Sequence, residues 1–434
     1  MRGDQLRAHL ALHGVTRRDA LRLAGGAGLA AAGLAGLGPP PAAAAAEDQP
    51  PPAAAGGFDD QVFDVAAVLA GAWDDTAFYR RGDQRGTFQE VTPAKTAAAL
   101  RLLDSRRPVA SFNLGEPLFN GFPAFKATPA RYYFQVLTVL GYQPPADFGG
   151  VLQSTTPLGT NQASAHEERF KTTDHSAPYT GTYQIATQVD NLNHVGVGPV
   201  FYGGRRGPDI ARSWGTSEIG AEVMGPIVTR GLLLDVLGVK LAQGGGGVVE
   251  VAGNGRPHLA ATYRVTLEDL EAAMRMGRIA KIEPGDAVLI RTGWDQLVNP
   301  KDPNGHDPDD PSHPGHPDHV KYLASEPGIY LREARWLASH RPALVGADNW
   351  ALEVVGNPVT GTNAFPCHQE LLTHHGVRIG ESMLTDELAG SGVFEFVYIV
   401  TPQLALGATG GNTPPVALAQ PRGHQQLPSR SGLS

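Results

Sequence analysis

Four apolar segments, separated by stretches with helical patterns, most constrain the fold of this 434-residue chain. The sequence predicts buried strands at 231–239, 286–294, 343–355 and 393–400. Between them it predicts a helix at 267–279, where Thr266 and Asp269 have the spacing of a capping box, and another at 328–340. Strands that alternate with helices favour an α/β or α+β domain, which we expect to span residues 58–422.

Shorter segments predict the flanking elements. A Pro-initiated helix is expected at 93–104, a short strand at 109–114, and a helix over 369–376 that ends at Gly376. The apolar segment 132–142 is compatible with either a strand or a helix.

Residues 1–46 have the composition of an export signal. Arg17 and Arg18 precede the apolar run 23–37, and Ala44–Ala46 provide a cleavage site of the A-x-A type. The arginine pair after Thr16 resembles a twin-arginine signal, with an ordinary secretory signal as the alternative. We therefore expect a periplasmic or secreted protein with a linker at 47–57, a disordered tail at 423–434 and no membrane anchor after cleavage.

The charge balance excludes one class of partner. The formal net charge is −8, and it becomes −11 without residues 1–46, which hold five Arg and two Asp. A chain with this balance is a poor ligand for nucleic acid. The lone cysteine, Cys367, excludes an internal disulfide and is expected to be a small buried residue rather than a nucleophile.

The segment 183–196, YQIATQVDNLNHVG, concentrates amides, a carboxylate and an imidazole. In an extended strand Gln184, Gln188 and Asp190 share one face, and His194 lies four residues beyond Asp190. The spacing alone is compatible with a metal site or with an ordinary polar loop.

Two further segments contain residues that bind metals. His368 and Glu381 lie thirteen residues apart with a predicted helix between them, and both side chains are common ligands. The segment 301–319 is rich in His and Asp but is broken by Pro, which is typical of a solvated surface loop.

Together these segments resemble the cyclase family that includes bacterial kynurenine formamidase and isatin hydrolase. Similar stretches occur in the same order at 225–236, 282–294, 327–355 and 380–389. The resemblance implies a swivelling β/β/α-type domain. It also implies a homodimer or a homotetramer.

The family signature has the form HxxxHxDxxxH, in which the first two His and the Asp bind metal and the last His transfers a proton. On this chain the Asp corresponds to Asp190 and the last His to His194, whereas Gln184 and Gln188 replace the two ligand His. The later ligands of the family correspond to His368 and Glu381. The resemblance thus implies one divalent metal, Mn or Zn, at Asp190, His368 and Glu381, with the two Gln beside it.

The implied activity is hydrolysis of an amide carbon–nitrogen bond in a small aromatic substrate, either an arylformamide, as in kynurenine and tryptophan catabolism, or a cyclic amide. His194 would transfer the proton, and Phe201, Tyr202 and Trp350 could line an aryl pocket. Two alternatives stay open: a lyase, dehydratase or cyclase on the same scaffold, and a metal-free binding protein.

Overall fold

The structure is a computed structural model that describes residues 57–74, 82–118, 122–123, 135–139, 166–170, 183–212, 215–298, 316–361 and 363–420. These residues all lie in one compact unit that spans residues 55–434. The predicted signal, the tail, residues 47–56 of the predicted linker and residues 301–315 of the His- and Asp-rich segment lie outside the described residues. None of the helices in the described ranges is long and apolar enough to cross a membrane.

Seventeen strands occur in the described residues. In chain order they are β1 Ala110–Asn113, β2 Gln135–Val139, β3 His166–Phe170, β4 Gln188–Asp190, β5 Val200–Phe201, β6 Arg205–Arg206, β7 Ala211–Arg212, β8 Gly215–Thr216, β9 Ile227–Asp235, β10 Val249–Val251, β11 Pro257–Leu259, β12 Ala287–Arg291, β13 Leu344–Ala347, β14 Arg378–Glu381, β15 Glu395–Val400, β16 Gly410–Gly411 and β17 Val416–Ala419.

The helices lie mainly between the central strands. They are α1 Val65–Leu69, α2 Pro93–Leu100, α3 Gly207–Ile210, α4 Val236–Ala242, α5 Leu267–Gly277, α6 Pro317–Ala324, α7 Leu331–Ser339, α8 Pro366–His368 and α9 Asp386–Gly390, with a π-helical turn, Gln369–His374, directly after α8. Single 3-10 turns occur at Gly86–Glu90, Tyr202–Gly204, Ala221–Val223, Trp294–Leu297 and Pro358–Thr360.

Nine strands form one mixed sheet in the order β1-β17-β15-β9-β12-β13-β14-β4-β16. The central strands β9, β12, β13 and β14 are parallel, and the strands on both flanks are antiparallel to their neighbours. The parallel strands need crossover connections, which the helices after β9, β12 and β13 provide. This architecture confirms the predicted mixed α/β class.

Both faces of the central strands are buried. In β9, Leu232 and Leu234 pack into one core cluster with α5 and α7, whereas Leu233 packs into a second cluster with Phe396 and Tyr398. Alternate side chains of a strand point to opposite faces, so a strand that is covered on both sides is apolar throughout. This explains why the central strands appear in the sequence as continuous apolar runs.

Three strand predictions extended too far. The predicted strand 286–294 ends at Arg291, before the 3-10 turn that begins at Trp294. The predicted strand 231–239 ends at Asp235, because the Asp235 carboxylate accepts a hydrogen bond from Gly238 N at 2.8 Å and caps α4. The predicted strand 343–355 ends at Ala347, and Asp348 then accepts from the amides of Thr292 and Gly293 at 2.7–2.9 Å. The ambiguous segment 132–142 contains a strand, β2.

Candidate metal centre

The pairing of strands β4 and β14 brings together Asp190 and Glu381, two of the predicted metal ligands. β4 and β14 are antiparallel, with Asp190 opposite Ile379 and Gln188 opposite Glu381. His368, at the end of α8, completes the group. One ligand atom from each of Asp190, His368 and Glu381 lies within 4.8 Å of the others, and all three residues are buried. The structure therefore brings Asp190 together with His368 and Glu381, which lie far from it in the sequence.

His368 lies between three carboxylates. Its Nε2 is 3.5 Å from Asp190 Oδ2 and 3.2 Å from Glu381 Oε1, while its Nδ1 is 2.6 Å from Glu353 Oε1. Burial disfavours the charged imidazolium, but hydrogen bonds to the three carboxylates outweigh this and raise the pKa of His368 well above its ordinary value. The surroundings of His368 therefore strongly favour positive charge.

Glu353 and Glu326 are two buried acids that the sequence analysis did not select. Glu326 accepts hydrogen bonds from the amides of Trp350 and Ala351 at 2.9 and 2.8 Å. Burial and the negative charges of Glu381 and Glu353 raise the pKa of Glu326 well above its ordinary value. Glu353 lies inside the apolar run 351–355, and this position indicated in the sequence that it would be buried. Nothing in the local sequence distinguishes Glu326 from a surface acid.

The two predicted amide residues also lie at this centre, and both are buried. Gln188 Nε2 donates its two hydrogens to Gln184 Oε1 at 2.7 Å and to Glu381 Oε2 at 2.6 Å, and Asp190 Oδ1 at 3.3 Å shares one of them. Among the described residues, the buried Gln188 Oε1 has no hydrogen-bond partner. The amide nitrogen of Gln188, rather than its oxygen, thus contacts the acidic residues.

The donor set fits a divalent cation. Two carboxylates and one imidazole are ligands that Zn²⁺ and Mn²⁺ accept, and buried carboxylates need a compensating charge. Gln188 Oε1, which has no hydrogen-bond partner among the described residues, could accept a hydrogen bond from a water beside such an ion.

A second group of potential ligands, Glu370, His374 and His375, is less suited to a cation. Arg335 Nε already lies 3.3 Å from Glu370 Oε1, and His374 stacks on Trp73 with ring centroids 4.3 Å apart. The arginine charge there opposes the binding of a further cation.

Strained backbone recurs around the candidate centre. Of the seven residues other than glycine in the described ranges that have φ in the left-handed region, four lie near it, namely Ala186 at 52°, Leu352 at 62°, Phe365 at 53° and Ser382 at 49°. Each lies within three residues in the sequence of one of the side chains described above. Such conformations cost about 1–3 kcal/mol each and persist where the surrounding structure holds them in place, often at functional sites.

His194 lies beside one of the three ligand candidates, His368. Its ring centroid is 6.3 Å from that of His368, with the ring planes at 63°, and its backbone amide donates to Asn191 O at 2.9 Å. The residue is half-buried. This position is compatible with the predicted role in proton transfer.

Phe201, Tyr202 and Trp350, which were predicted to line an aryl pocket, do not lie together. Trp350 lines a cleft together with Phe122, Gln188, Tyr322, Glu381 and Ser382, and its Nε1 donates to Tyr322 O at 2.6 Å. Phe201 and Tyr202 pack instead against the core, where the Tyr202 hydroxyl donates to Asp83 Oδ2 at 2.7 Å. Of the three, only Trp350 lies in the cleft, and no motif in the sequence distinguishes Tyr322.

Cys367 is fully buried, as expected for a lone cysteine that packs in the core. Burial and the negative charge of Glu353 raise the pKa of its thiol well above the ordinary value. A thiol that resists ionisation is a poor nucleophile.

Comparison with known proteins yields a family model and several solved structures. The model described as "Putative cyclase" matches residues 112–354, more than half of the chain. The crystal structure of a novel cyclase has 27% sequence identity and a TM-score of 0.57, with 78% of this chain and 97% of that chain covered. No curated protein matches the chain.

Two weaker similarities are to isatin hydrolase A from Ralstonia solanacearum and to a predicted metal-dependent hydrolase from Bacillus stearothermophilus. The first has 14% identity and a TM-score of 0.46, covering 75% of this chain and 95% of that chain. The second has 13% identity and a TM-score of 0.39, covering 72% of this chain and all of the other.

Proposed function

The chain belongs to the cyclase family, and from that premise we propose that it is a metal-dependent hydrolase that cleaves an amide carbon–nitrogen bond. The observation that carries the proposal is the convergence of Asp190, His368 and Glu381, whose ligand atoms lie within 4.8 Å of one another. The proposed substrate, an arylformamide or a cyclic aryl amide, is taken from the family resemblance. Phe122, Tyr322 and Trp350 line the adjoining cleft, whose free volume of about 20 Å³ would have to widen to admit it.

Asp190, His368 and Glu381 would hold one divalent ion, Mn²⁺ or Zn²⁺. When bound, such an ion supplies a water of lowered pKa and polarises a substrate carbonyl. Glu353 keeps the His368 ring in place through Nδ1, so that Nε2 faces Asp190 and Glu381.

His194 would accept the proton from the attacking water and donate it to the leaving nitrogen. An imidazole has two ring nitrogens that can accept and donate a proton, which suits a residue that acts first as a base and then as an acid. The indole of Trp350 would pack against the aryl group of the substrate, since it lines the same cleft as Glu381.

Metal analysis combined with two assays tests the proposal. Purified protein should contain about one equivalent of a divalent metal, release formate from N-formylkynurenine or open the isatin ring, and lose activity with a chelator. Less than about a tenth of an equivalent of metal, with no gain after addition of Mn²⁺ or Zn²⁺, would contradict the metalloenzyme proposal.

A His194→Ala variant tests the proton-transfer role, with His340→Ala as a control at another half-buried histidine. We expect kcat to fall by about 10²- to 10⁴-fold in the first variant only, while both keep the metal. Full activity in His194→Ala would remove this residue from the mechanism.

We also propose that the protein is exported and self-associates. The supporting observation for export is the Arg17–Arg18 pair before an apolar run. Replacement of both arginines by lysine should retain the protein in the cytoplasm with an uncleaved N-terminus. Light scattering on the mature protein should give the mass of a dimer or a tetramer. The mass of a monomer would contradict the proposal that the protein self-associates.

A further inference from the structure

The amide nitrogen of Gln188 occupies a position between the two acidic residues of the candidate metal centre. It lies 2.6 Å from Glu381 Oε2 and 3.3 Å from Asp190 Oδ1. The other oxygens of the same carboxylates, Asp190 Oδ2 and Glu381 Oε1, lie 3.5 and 3.2 Å from His368 Nε2. Each carboxylate therefore has one oxygen facing the amide and one facing the imidazole.

We propose that Gln188 is a positioning residue whose amide holds one oxygen of Asp190 and one of Glu381, so that each carboxylate offers a single oxygen to a single ion. Each hydrogen bond from the amide occupies one lone pair of Glu381 Oε2 or Asp190 Oδ1 without adding charge. Asp190 Oδ2 and Glu381 Oε1, which face His368 Nε2, would then be the oxygens offered to the ion. This inference rests on the proposed function, because it requires that the centre binds a divalent ion.

The surroundings of Gln188 fix the orientation of its amide group. Three oxygens, from Gln184, Asp190 and Glu381, surround Nε2, and an amide turned the other way would place Oε1 against three acceptors. Gln184 is held in turn, since its Nε2 donates to Thr409 O at 3.4 Å and lies where a Cβ at Gly410 would be only 2.7 Å away. Gly410 thus leaves the space that Gln184 needs.

Titration of the apo protein with Mn²⁺ and with Co²⁺ tests this proposal. Gln188→Met keeps the length of the side chain but lacks the donor, and Gln243→Met, at an exposed glutamine after α4, is the control. We expect wild-type protein and the control to bind one equivalent, and Gln188→Met to bind the ion about 10- to 100-fold more weakly. The visible spectrum of bound Co²⁺ at saturation should change in Gln188→Met only, because released carboxylates can bind through both oxygens.

A second variant, Gln188→Glu, keeps the shape and replaces the donor with a carboxylate. We expect it to bind more than one equivalent of Mn²⁺, since three carboxylates in contact need further positive charge. One equivalent, wild-type affinity and an unchanged Co²⁺ spectrum in both Gln188 variants would overturn the role of Gln188 while leaving the metal site intact. Failure of the wild-type protein to bind either ion would overturn the proposed function and this inference together.

Discussion

Glu353 Oε1 lies 2.6 Å from His368 Nδ1, and the same carboxylate accepts hydrogen bonds from the backbone amides of Cys367 and His368 at 3.1 Å. Glu353 therefore holds both the side chain of His368 and the backbone of α8, the short helix in which His368 lies. A histidine held in this way presents Nε2 in one direction, which reduces the cost of ordering the ligand when a cation binds.

Replacement of Glu353 should weaken metal binding without removing any ligand. We expect Glu353→Gln to lower the affinity for Mn²⁺ by about 10- to 100-fold, because the hydrogen bond that orients His368 loses its charge. Calorimetric titration would measure the affinity, with Glu271→Gln, at an exposed acid on α5, as the control. Equal affinity in Glu353→Gln and wild type would contradict the orienting role.

Removal of a ligand should have a larger effect. Asp190→Asn keeps the size of the side chain but removes its charge, and we expect the bound metal to fall below the level detectable by elemental analysis. Asp209→Asn, at an exposed acid in α3, should retain the full metal content. Circular dichroism of both variants would show that the loss of metal is not a loss of fold, and full metal occupancy in Asp190→Asn would exclude Asp190 as a ligand.

The buried Asp348 predicts a pH dependence of stability. Burial raises the pKa of Asp348 to about 6, despite its hydrogen bonds from Thr292 and Gly293. Between pH of about 4 and 6 the folded protein keeps a proton on Asp348 that the unfolded chain has lost, so the free energy of unfolding falls as pH rises through this window. Two pKa units correspond to about 3 kcal/mol.

The difference in unfolding free energy between wild type and Asp348→Asn isolates this contribution, since other titrating groups cancel. In urea unfolding across the same pH range, the free energy of unfolding of the wild type should decrease relative to that of Asp348→Asn as the pH rises. A difference that is independent of pH would mean that Asp348 titrates alike in both states.

The position of Trp350 in the same cleft as Glu381 predicts a role in substrate binding. Trp350→Ala should raise KM for an aryl substrate by roughly 2- to 10-fold, since an aromatic pair contributes about 0.5–1.5 kcal/mol. Trp350→Phe keeps an aromatic face but loses the hydrogen bond from Nε1 to Tyr322 O, and its KM should lie closer to that of the wild type. Steady-state kinetics would measure both values, and unchanged KM in Trp350→Ala would place the substrate elsewhere.

Local signals in the sequence predicted the parts of the fold that short-range contacts determine. The capping box of Thr266 and Asp269 is present at the start of α5, and the apolar runs correspond to central strands. The boundaries of β9 and β13 were wrong, because Asp235 and Asp348 end these strands through hydrogen bonds that depend on residues outside the strand. Composition does not indicate whether an acid inside an apolar run ends a strand by accepting hydrogen bonds from backbone amides.

The candidate centre was only partly predictable. The even spacing of Gln188 and Asp190 indicated a shared face, which agrees with the contact between their side chains. The proximity of Asp190 to Glu381 depends on the pairing of β4 with β14, and the contact of Asp190 with His368 depends on the position of α8. A family resemblance rather than spacing suggested both. Glu326 was missed because a buried carboxylate and a solvated one look alike in a sequence.

The left-handed residues near the centre have a consequence for how the protein would respond to selection for heat resistance. Ala186 and Ser382 are small and strained, so glycine at either position would relieve the backbone. At Ser382 it would also remove the hydrogen bond between the buried hydroxyls of Ser382 and Tyr322, which are 3.1 Å apart. Laboratory evolution under heating alone should therefore enrich glycine at Ala186 rather than at Ser382. Selection that also demands turnover should retain the original residues, because a looser loop would no longer hold Gln188 and Glu381 in register.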